Sequence, residues 1–348
     1  MRGAVFTAHG DLENLKVVDD LPVPQPKRGE VRLQMKAAAL NRLDLWVRWG
    51  WPGLNLQMPH VVCADGAGVV DALGEGVSDY AVGDAVSINP SIIRADSPAW
   101  FTGVENQSRD LHILGESVPG VAAEYVVVPA RNLHRMPEGF SFEGAAAAGL
   151  VYVTAWHSLI TRGGLRPGET VLVVGAGGGV NSASIQIAKF AGATVFVVGS
   201  NAEKCAQAEA LGADVTINRE EEPNWSKAMY KMTNKRGVDV VVDNVGHATL
   251  ADSVRSARIG GRILIVGGTS GPFVELDVRQ IFARQVSIIG STMGPHQDYM
   301  RVMDLVFAGH LKPVIGAMLP LDEVREAQRR LEQFDVFGKV VLRIDEAG

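Results

Sequence analysis

The chain has 348 residues, of which 47% are apolar and 21% charged, a composition typical of a soluble globular protein with about two domains. The formal net charge of −6 excludes a strongly basic surface, so we expect no nucleic-acid partner. Two cysteines, Cys63 and Cys205, are too few for a disulfide framework. No apolar run approaches the roughly 20 residues that span a bilayer, and no secretory signal is visible. We therefore expect no membrane partner and a cytoplasmic location.

Residues 1–150 alternate short β-rich runs with turns. Runs such as MRGAVFT and AAEYVVVPA are separated by closely spaced Pro and Gly, and long helical patterns are scarce. This pattern predicts a β-rich domain, either a partly antiparallel barrel or a sandwich. Within it, PHVVCADGAGVV (59–70) looks like a buried strand that carries Asp65. Because burying an unpaired charge is costly, this carboxylate must be bonded, paired or functional.

From residue 151 onward, strands alternate with helices. The segment 169–200 contains a strand, a glycine turn, a helix and a second strand, and the alternation continues to about residue 297. Continuous Val/Ile strands indicate a parallel sheet covered on both faces. We predict an α/β protein with a doubly wound parallel-sheet domain over 151–297. The segment 298–348 ends in a strand that could return to the first domain, so we assign 1–150 and 298–348 to one domain.

A glycine cluster marks a dinucleotide site where the first of these strands meets its helix. Glycines there let the backbone approach a pyrophosphate at the helix N-terminus. Asn181 occupies the third small position of the motif, so its side chain must either push the helix outward or point its amide at the cofactor. The residues expected to bind the pyrophosphate are Gly175, Gly177, Gly178, Gly179, Val180 and Asn181.

The end of the second strand predicts which dinucleotide binds. A free ribose 2′-hydroxyl usually requires Asp or Glu at this strand end, whereas a 2′-phosphate requires cationic and hydroxyl groups. Here the strand ends at Gly199, followed by Ser200, Asn201 and Lys204. We therefore expect NADP(H) rather than NAD(H). The alternative is that Lys204 is a solvated helix residue and Ser200 only a helix N-cap.

Motifs over nearly the whole chain resemble the medium-chain dehydrogenase/reductase superfamily, which includes zinc alcohol dehydrogenases and quinone oxidoreductases. They include LNRLDLWVRWG, AAEYVVVPARNLHRMPEGFSFEGAAAAGLVYVTAWHSL, GLRPGETVLVVGAGGGV, GVDVVVDNVG and FGKVVLRI. The resemblance implies a GroES-like catalytic domain built from both chain ends, a Rossmann domain between them, and an active site in the cleft. It also implies a homodimer or homotetramer, with QVSIIGSTMG as an interface strand.

The resemblance also shows where a catalytic zinc would bind, and this chain lacks the ligands. The three ligand positions correspond to Asn41, Ala64 and Leu150. Cys63 is one residue away, and on a strand it would face the opposite side. A catalytic zinc takes three protein ligands. The segment RADSPAWFTGVENQSRD likewise has no cysteine to hold a structural zinc. We expect no metal.

Zinc-free relatives imply hydride transfer from NADPH to an activated C=C bond, as in an enone or enoyl group, or to a quinone. There, hydrogen bonds stabilise the developing enolate. The candidate catalytic residues are Asn41, Asp44, Asp65 and Tyr152. Asn41 could donate to an oxyanion and Tyr152 could donate or protonate, whereas Asp44 and Asp65 could instead brace their surroundings. We expect a small, hydrophobic or aromatic substrate.

The resemblance implies a second group of cofactor contacts, near the nicotinamide. These residues are Thr154, Asn244, Val266, Gly267, Gly268, Ser291, Thr292 and Met293. Two other functions stay open. One is an alcohol dehydrogenase or carbonyl reductase that works without zinc; the other is an NADPH-binding protein that has lost catalysis. The intact glycine turn favours an enzyme, whereas Asn181 and the missing metal ligands favour the binding protein.

Overall fold

The computed structural model describes residues 1–344, and the chain divides into two compact units. Unit 1 contains residues 1–151 and the chain from Pro295 onward, and unit 2 contains Tyr152–Gly294. The predicted domain boundaries fall close to these positions. The predicted α/β class, with one β-rich part and one parallel sheet, is confirmed. Over residues 1–344, every helix is too short or too polar to cross a membrane.

The first part of unit 1 consists mostly of strands. They are β1 (Gly3–Phe6), β2 (Leu15–Val18), β3 (Glu30–Ala39), β4 (His60–Val61), β5 (Asp65–Leu73), β6 (Ala85–Ile88), β7 (Ser91–Ile92), β8 (His112–Ile113), β9 (Tyr125–Pro129) and β10 (Leu133–Arg135). The helices are α1 (Arg42–Trp49) and α2 (Phe142–Trp156), and α2 continues as a π-helical turn over His157–Arg162. Burial alternates along the first half of β3, as expected for a strand with one face in the core.

Helix α2 packs closely on the main sheet of unit 1 because the contact is made by alanines. Ala145–Ala147 cluster with Ala37 and Ala39 of β3 and with Ala67 of β5. Small side chains on both surfaces let a helix approach a sheet closely. The next residues of the helix, Gly149 and Leu150, are thereby brought to the start of β5, where Asp65 lies.

Unit 2 contains a six-stranded, wholly parallel sheet. Its strands are β11 (Thr170–Val174), β12 (Thr194–Gly199), β13 (Val215–Asn218), β14 (Val238–Asp243), β15 (Ala257–Ile265) and β16 (Ser287–Gly290). Its helices are α3 (Gly179–Phe190), α4 (Ala202–Ala210), α5 (Trp225–Met232), α6 (Leu250–Ser256) and α7 (Arg279–Phe282). The strand order is β13-β12-β11-β14-β15-β16, so it reverses between β11 and β14. Ligands of such sheets bind at the carboxyl ends of the strands where the order reverses.

The chain then returns to unit 1, as predicted for the final strand. The last elements are α8 (His296–Phe307), β17 (Ile315–Pro320), α9 (Val324–Glu332) and β18 (Lys339–Arg343). Strand β18 pairs antiparallel with β3 and parallel with β17, a strand that the sequence analysis did not predict. The main sheet has the order β10-β6-β5-β3-β18-β17, with β9 also paired to β3. Separate small sheets contain β2-β1-β4 and β7-β8.

The segment 59–70 is not one strand, and that expectation was wrong. Strand β4 ends at Val61 and β5 begins at Asp65. Between them Cys63 has a φ of 73°, a left-handed conformation that is uncommon outside glycine. The Cys63 N–H donates to Asp44 Oδ1 at 2.7 Å, which holds this conformation. Because Cys63 is not on a strand, strand alternation cannot decide which way its side chain faces.

Candidate active site

Asp65 lies at the centre of a buried polar cluster in unit 1. Its side chain is 0% exposed. Asp65 Oδ2 accepts hydrogen bonds from Asn41 Nδ2 at 2.8 Å and from Lys339 Nζ at 2.9 Å, and Oδ1 accepts from the Leu150 N–H at 2.6 Å. Lys339 Nζ also donates to Asn41 Oδ1 at 2.6 Å. We call these four residues the Asp65 cluster; three donors, one of them the buried Lys339 cation, hold its carboxylate in place.

The contacts of the cluster determine how the Asn41 amide is oriented. A lysine ammonium can only donate, so the atom of Asn41 that faces Lys339 must be the amide oxygen. The amide nitrogen then faces Asp65 and uses one of its two N–H groups there. The second N–H is not used by the cluster. The Asn41 amide is thus held in one orientation by the bonds at its two ends, and its side chain is buried.

Asp44 connects Asn41 to Cys63. The Asn41 N–H donates to Asp44 Oδ2 at 2.7 Å, and the Cys63 N–H donates to Oδ1 at 2.7 Å. Asn41 is the N-cap of α1, and an acid three residues later commonly bonds back to the capping residue. Burial raises the pKa of Asp44 to about 6, against the opposing effect of the two N–H donors. These contacts are those of a bracing residue.

We expect the contribution of Asp44 to stability to fall as pH rises. A raised pKa means that the folded chain binds this proton more tightly than the unfolded chain, so the contribution is fully present below about pH 4 and lost through pH 6. The difference in free energy of unfolding between wild type and Asp44→Asn, from urea titrations, should fall by up to about 3 kcal/mol from pH 4 to 7. Asp335→Asn, at an exposed position, is the control. A difference that rises with pH would contradict this interpretation.

The sequence analysis missed two residues that contact Asp65, namely Lys339, a member of the cluster, and Gly149, which lies beside it. Lys339 is 3% exposed although it lies at the start of an apolar strand. A Cβ added to Gly149 would lie 2.3 Å from Asp65 Oδ1, so only glycine fits there. A lone lysine and a lone aspartate, each inside a buried strand, are costly unless they pair with one another. The cost of burying each charge alone was therefore the feature of the sequence that could have linked Lys339 to Asp65. No local sequence pattern indicated that Gly149 would contact Asp65.

Tyr152 lies in unit 2, outside the Asp65 cluster. Its hydroxyl accepts a hydrogen bond from Gln186 Nε2 on α3 at 3.0 Å. Burial raises the pKa of this phenol above its ordinary value. Both observations favour a structural contact between the end of α2 and α3.

The positions that would ligate a catalytic zinc do not offer a zinc site. Asn41 and Leu150 belong to the Asp65 cluster, where the cation beside the carboxylate is the Lys339 ammonium. Zinc takes thiolate, imidazole or carboxylate ligands, whereas these two positions offer an amide and an aliphatic side chain, and the neighbouring Asp65 carboxylate already accepts three hydrogen bonds. Among residues 1–344, no group of three or more His, Cys, Asp or Glu side chains is placed to hold a metal ion. Burial raises the pKa of Cys63 well above its usual range, so its thiol stays protonated.

In unit 2, the predicted glycine turn joins β11 to α3. Gly175 has a φ of 94°, and Gly178 is the N-cap of α3. A Cβ on Gly178 would have no atom within 4 Å, so the turn is open there. An open glycine turn at a helix N-terminus fits a pyrophosphate, because the first N–H groups of the helix lack partners.

The Lys204 side chain lies beside this turn, and the backbone N–H of Arg219 bonds to the end of β12. The side chain of Lys204 lies along Gly177, since a Cβ there would be 3.5 Å from its Cε and 3.7 Å from its Nζ. Arg219, which the sequence analysis missed, follows β13 and donates its N–H to the Gly199 carbonyl at 3.0 Å. Asn201 caps α4 by accepting from the Lys204 N–H at 2.9 Å, so Ser200 is not the cap.

The residues expected near the nicotinamide lie in the loops after β14, β15 and β16, except for Thr154, which lies on α2. Thr154 Oγ1 lies 3.9 Å from Met293 Sδ, so this predicted pair is in contact. The loop after β14 is joined to the loop after β15 by Thr269 N–H donating to the Asn244 carbonyl at 3.2 Å. Of the other predicted residues, Val266, Gly267 and Gly268 follow β15, and Ser291 and Thr292 follow β16.

Comparison with known proteins relates the chain to dehydrogenases over almost its full length. Residues 27–138 match the family model "Alcohol dehydrogenase GroES-like domain", and residues 179–308 match "Zinc-binding dehydrogenase". A zinc-type alcohol dehydrogenase-like protein of Schizosaccharomyces pombe is 34% identical, with 94% of each chain covered. The quinone oxidoreductase of Homo sapiens is 29% identical, over 98% of this chain and 97% of that protein.

A solved structure extends the similarity to the backbone. The crystal structure of an NAD-dependent alcohol dehydrogenase is 45% identical and superposes with a TM-score of 0.95. The match covers 99% of this chain and 100% of that one. The β-rich unit and the parallel-sheet unit therefore correspond to a GroES-like and a Rossmann-like domain.

Proposed function

Since the chain belongs to the medium-chain dehydrogenase/reductase superfamily of oxidoreductases, we propose that it reduces an activated C=C bond or a quinone with NADPH, without zinc. The observation that carries the proposal is the Asp65 cluster. Asn41 and Leu150, at two of the positions where the resemblance places zinc ligands, contribute an amide and a backbone N–H to the Asp65 carboxylate, and Lys339 adds an ammonium. Bound NADPH would supply the hydride.

The cluster supports a defined role for Asn41. Charge that develops on a substrate oxygen is stabilised most by donors held in place beforehand. Asp65 and Lys339 hold the Asn41 amide by its two ends, so its second N–H is such a donor. Asp65 accepts three hydrogen bonds, which favours positioning over proton transfer. We assign Tyr152 to the support of α3, on the strength of its bond to Gln186.

The contacts in unit 2 support NADPH as the cofactor. The glycine turn and the N-terminus of α3 would hold the pyrophosphate. Lys204 lies beside Gly177, and Arg219 lies beside the end of β12, where the adenosine ribose binds in such folds. A phosphate on the ribose 2′-oxygen would meet both cations, and β12 itself ends without an acid.

Lys204→Ala should weaken selection for the 2′-phosphate. Losing one charge-assisted hydrogen bond costs about 1.5 to 3 kcal/mol, which corresponds to a rise in KM for NADPH of roughly 10-fold to 100-fold. The KM for NADH should stay unchanged, since NADH has no 2′-phosphate. Lys227→Ala, on the exposed face of α5, is the matched control. Equal losses for both dinucleotides would mean that Lys204 contacts a group that they share.

An alcohol dehydrogenase or carbonyl reductase that uses NAD(H) is the second candidate. The 45% identical structure is that of an NAD-dependent alcohol dehydrogenase. The run Glu220–Glu222 directly follows Arg219, and acidic side chains near the ribose favour NAD. This candidate differs from the first in both substrate and cofactor.

A panel of substrates tests the proposal against this alternative. Purified protein is assayed for dinucleotide oxidation with enones, quinones and aldehydes, each with NADPH and with NADH. We expect turnover of an enone or quinone with NADPH, and a loss of kcat/KM for Asn41→Ala with little change for Tyr152→Phe. Aldehyde turnover with NADH alone would favour the second candidate. Binding of NADPH without turnover on the whole panel would indicate a binding protein.

We further propose a cytoplasmic homodimer or homotetramer acting on a hydrophobic or aromatic small molecule. Strand β16 is the edge strand of the unit 2 sheet, and Ile288 on it is 37% exposed. An exposed apolar edge strand is suited to pairing with a second copy. Size-exclusion chromatography with light scattering measures the oligomeric state directly.

The proposed cytoplasmic location has a separate basis. Both cysteines are free thiols, in keeping with a reducing compartment.

A further inference from the structure

Asn181 is bonded across the point where the strand order of unit 2 reverses. It lies in the first turn of α3, directly after β11, and is 4% exposed. Its Nδ2 donates to the carbonyl of Val174, at the end of β11, at 3.3 Å. Its Oδ1 accepts from Asn244 Nδ2 at 2.9 Å, and Asn244 directly follows β14. Both ends of the Asn181 amide are therefore bonded within unit 2.

These bonds determine which end of the Asn244 amide faces away from Asn181. The Val174 carbonyl can only accept, so Asn181 must present its nitrogen there and its oxygen to Asn244. Asn244 must then present its own nitrogen to Asn181. The Asn244 oxygen lies at the other end of the same planar amide. The Val174 carbonyl on β11 thus fixes the orientation of the Asn181 amide, which in turn fixes that of Asn244. As a result, the Asn244 Oδ1 is an oriented hydrogen-bond acceptor beside β14.

Gly175 leaves the space that this arrangement needs. A Cβ at Gly175 would lie 2.8 Å from Asn181 Nδ2, closer than such atoms approach in proteins. Its φ of 94° also disfavours any side chain. The third position of this motif usually holds a small residue, and the absence of a side chain at Gly175 leaves room for the larger amide of Asn181.

We infer that Asn181 is a positioning residue that orients Asn244 to accept a hydrogen bond from the nicotinamide nucleoside of the bound dinucleotide. The inference rests on the proposed function, in that it requires a nicotinamide cofactor. In doubly wound sheets each half binds one mononucleotide. Strand β14 opens the second half, opposite the half that contains β12. The group that Asn244 would accept from is a ribose hydroxyl or the carboxamide N–H.

Calorimetric titration of the full chain tests this inference. The ligands are NADP+, its 3-acetylpyridine analogue, which lacks the carboxamide N–H, and 2′,5′-ADP, which lacks the nicotinamide nucleoside. NAD+ and AMP form a parallel series. The variants are Asn181→Ala, Asn244→Ala and the double variant. Asn181→Gly is a second substitution at position 181, because glycine is a usual residue at this position of the motif. Ser182→Ala is the control, since its hydroxyl bonds only within the first turn of α3.

We expect each single variant to bind NADP+ roughly threefold to tenfold more weakly, the range for one lost hydrogen bond. The double variant should bind no more weakly than Asn244→Ala, because Asn181 acts through Asn244. Affinity for 2′,5′-ADP should not change. Weakening of NADP+ and its analogue alike would identify the ribose hydroxyl as the partner, and weakening of NADP+ alone the carboxamide.

Three results would overturn the inference. Unchanged NADP+ affinity in the single variants would remove any role in binding. Additive losses would mean that the two asparagines act separately. Equal weakening of 2′,5′-ADP would indicate a general structural role. Each of these leaves the proposed function intact, provided that the wild type binds NADP+. A wild type that binds neither NADP+ nor NAD+ would contradict the proposed function and this inference together.

Discussion

Replacing Lys339 with methionine should lower the free energy of unfolding by about 3 to 5 kcal/mol, the usual cost of removing one partner from a buried ion pair. Methionine has a similar length but leaves Asp65 as a buried carboxylate without its cation. The remaining donors, Asn41 and the Leu150 N–H, cannot supply the lost charge. Asn41 also loses the donor to its oxygen, so the amide is no longer held at both ends. Urea denaturation followed by circular dichroism measures the effect.

A second substitution separates charge from packing. In the double variant Asp65→Asn with Lys339→Met neither partner of the ion pair is charged, so much of the lost stability should return. Lys16→Met, at an exposed position of β2, is the matched control and should stay within about 0.5 kcal/mol of wild type. A cost of under 1 kcal/mol for Lys339→Met, or strict additivity in the double variant, would show that Lys339 and Asp65 do not depend on one another.

Gly149→Ala should be strongly destabilising although it replaces glycine in a helix. Helix propensity alone would stabilise α2 by about 1 kcal/mol. The new Cβ would, however, lie 2.3 Å from Asp65 Oδ1 and 2.9 Å from its Cγ. Asp65 cannot turn away without losing several buried hydrogen bonds, so we expect a net loss of about 3 to 4 kcal/mol, together with loss of activity.

Gly144→Ala in the same helix is the control for propensity. Its Cβ would meet the Ser141 hydroxyl at 2.8 Å and a Phe140 ring carbon at 3.2 Å. Ser141 is exposed, so its side chain can rotate away at the cost of its bond from the Gly144 N–H. That variant should stay within about 1 kcal/mol of wild type. Thermal melts and kcat/KM of the two variants can be compared directly. A Gly149→Ala variant as stable and as active as Gly144→Ala would show that Asp65 has room to move.

The sequence was sufficient for features that depend on local pattern. Continuous Val/Ile strands that alternate with helices along the chain predicted the parallel sheet of unit 2. The cluster Gly175–Gly179 located the turn between β11 and α3. The return of the final strand to unit 1 was also predicted, and β18 pairs with β3 as expected.

The features that were missed depend on contacts between distant segments. Lys339 is 274 residues from Asp65 in sequence, and only the pairing of β18 with β3 brings them together. Gly149 looks like an ordinary helix glycine until α2 is packed on the sheet. Cys63 was assigned to a strand because its neighbours are apolar. The bond from its N–H to Asp44 instead imposes a left-handed turn that no local pattern shows.

In the proposed function, the Asp65 cluster takes the place of the metal that zinc enzymes of similar fold use. A metal would polarise a substrate oxygen as a Lewis acid. Here a buried ammonium and an oriented amide provide positive charge and a hydrogen-bond donor. Such donors suit a substrate whose C=C bond or quinone ring is already electron-poor, because less polarisation is required before hydride adds.

Zinc content measured together with turnover tests this proposal most directly. Purified protein is dialysed against a strong chelator, analysed for metals by mass spectrometry, and assayed for NADPH oxidation with an enone and a quinone. We expect negligible zinc per chain both before and after dialysis, with kcat/KM unchanged by the chelator and by added zinc. Stoichiometric zinc in the untreated protein, with activity that is lost on chelation and restored by zinc, would contradict a zinc-free mechanism.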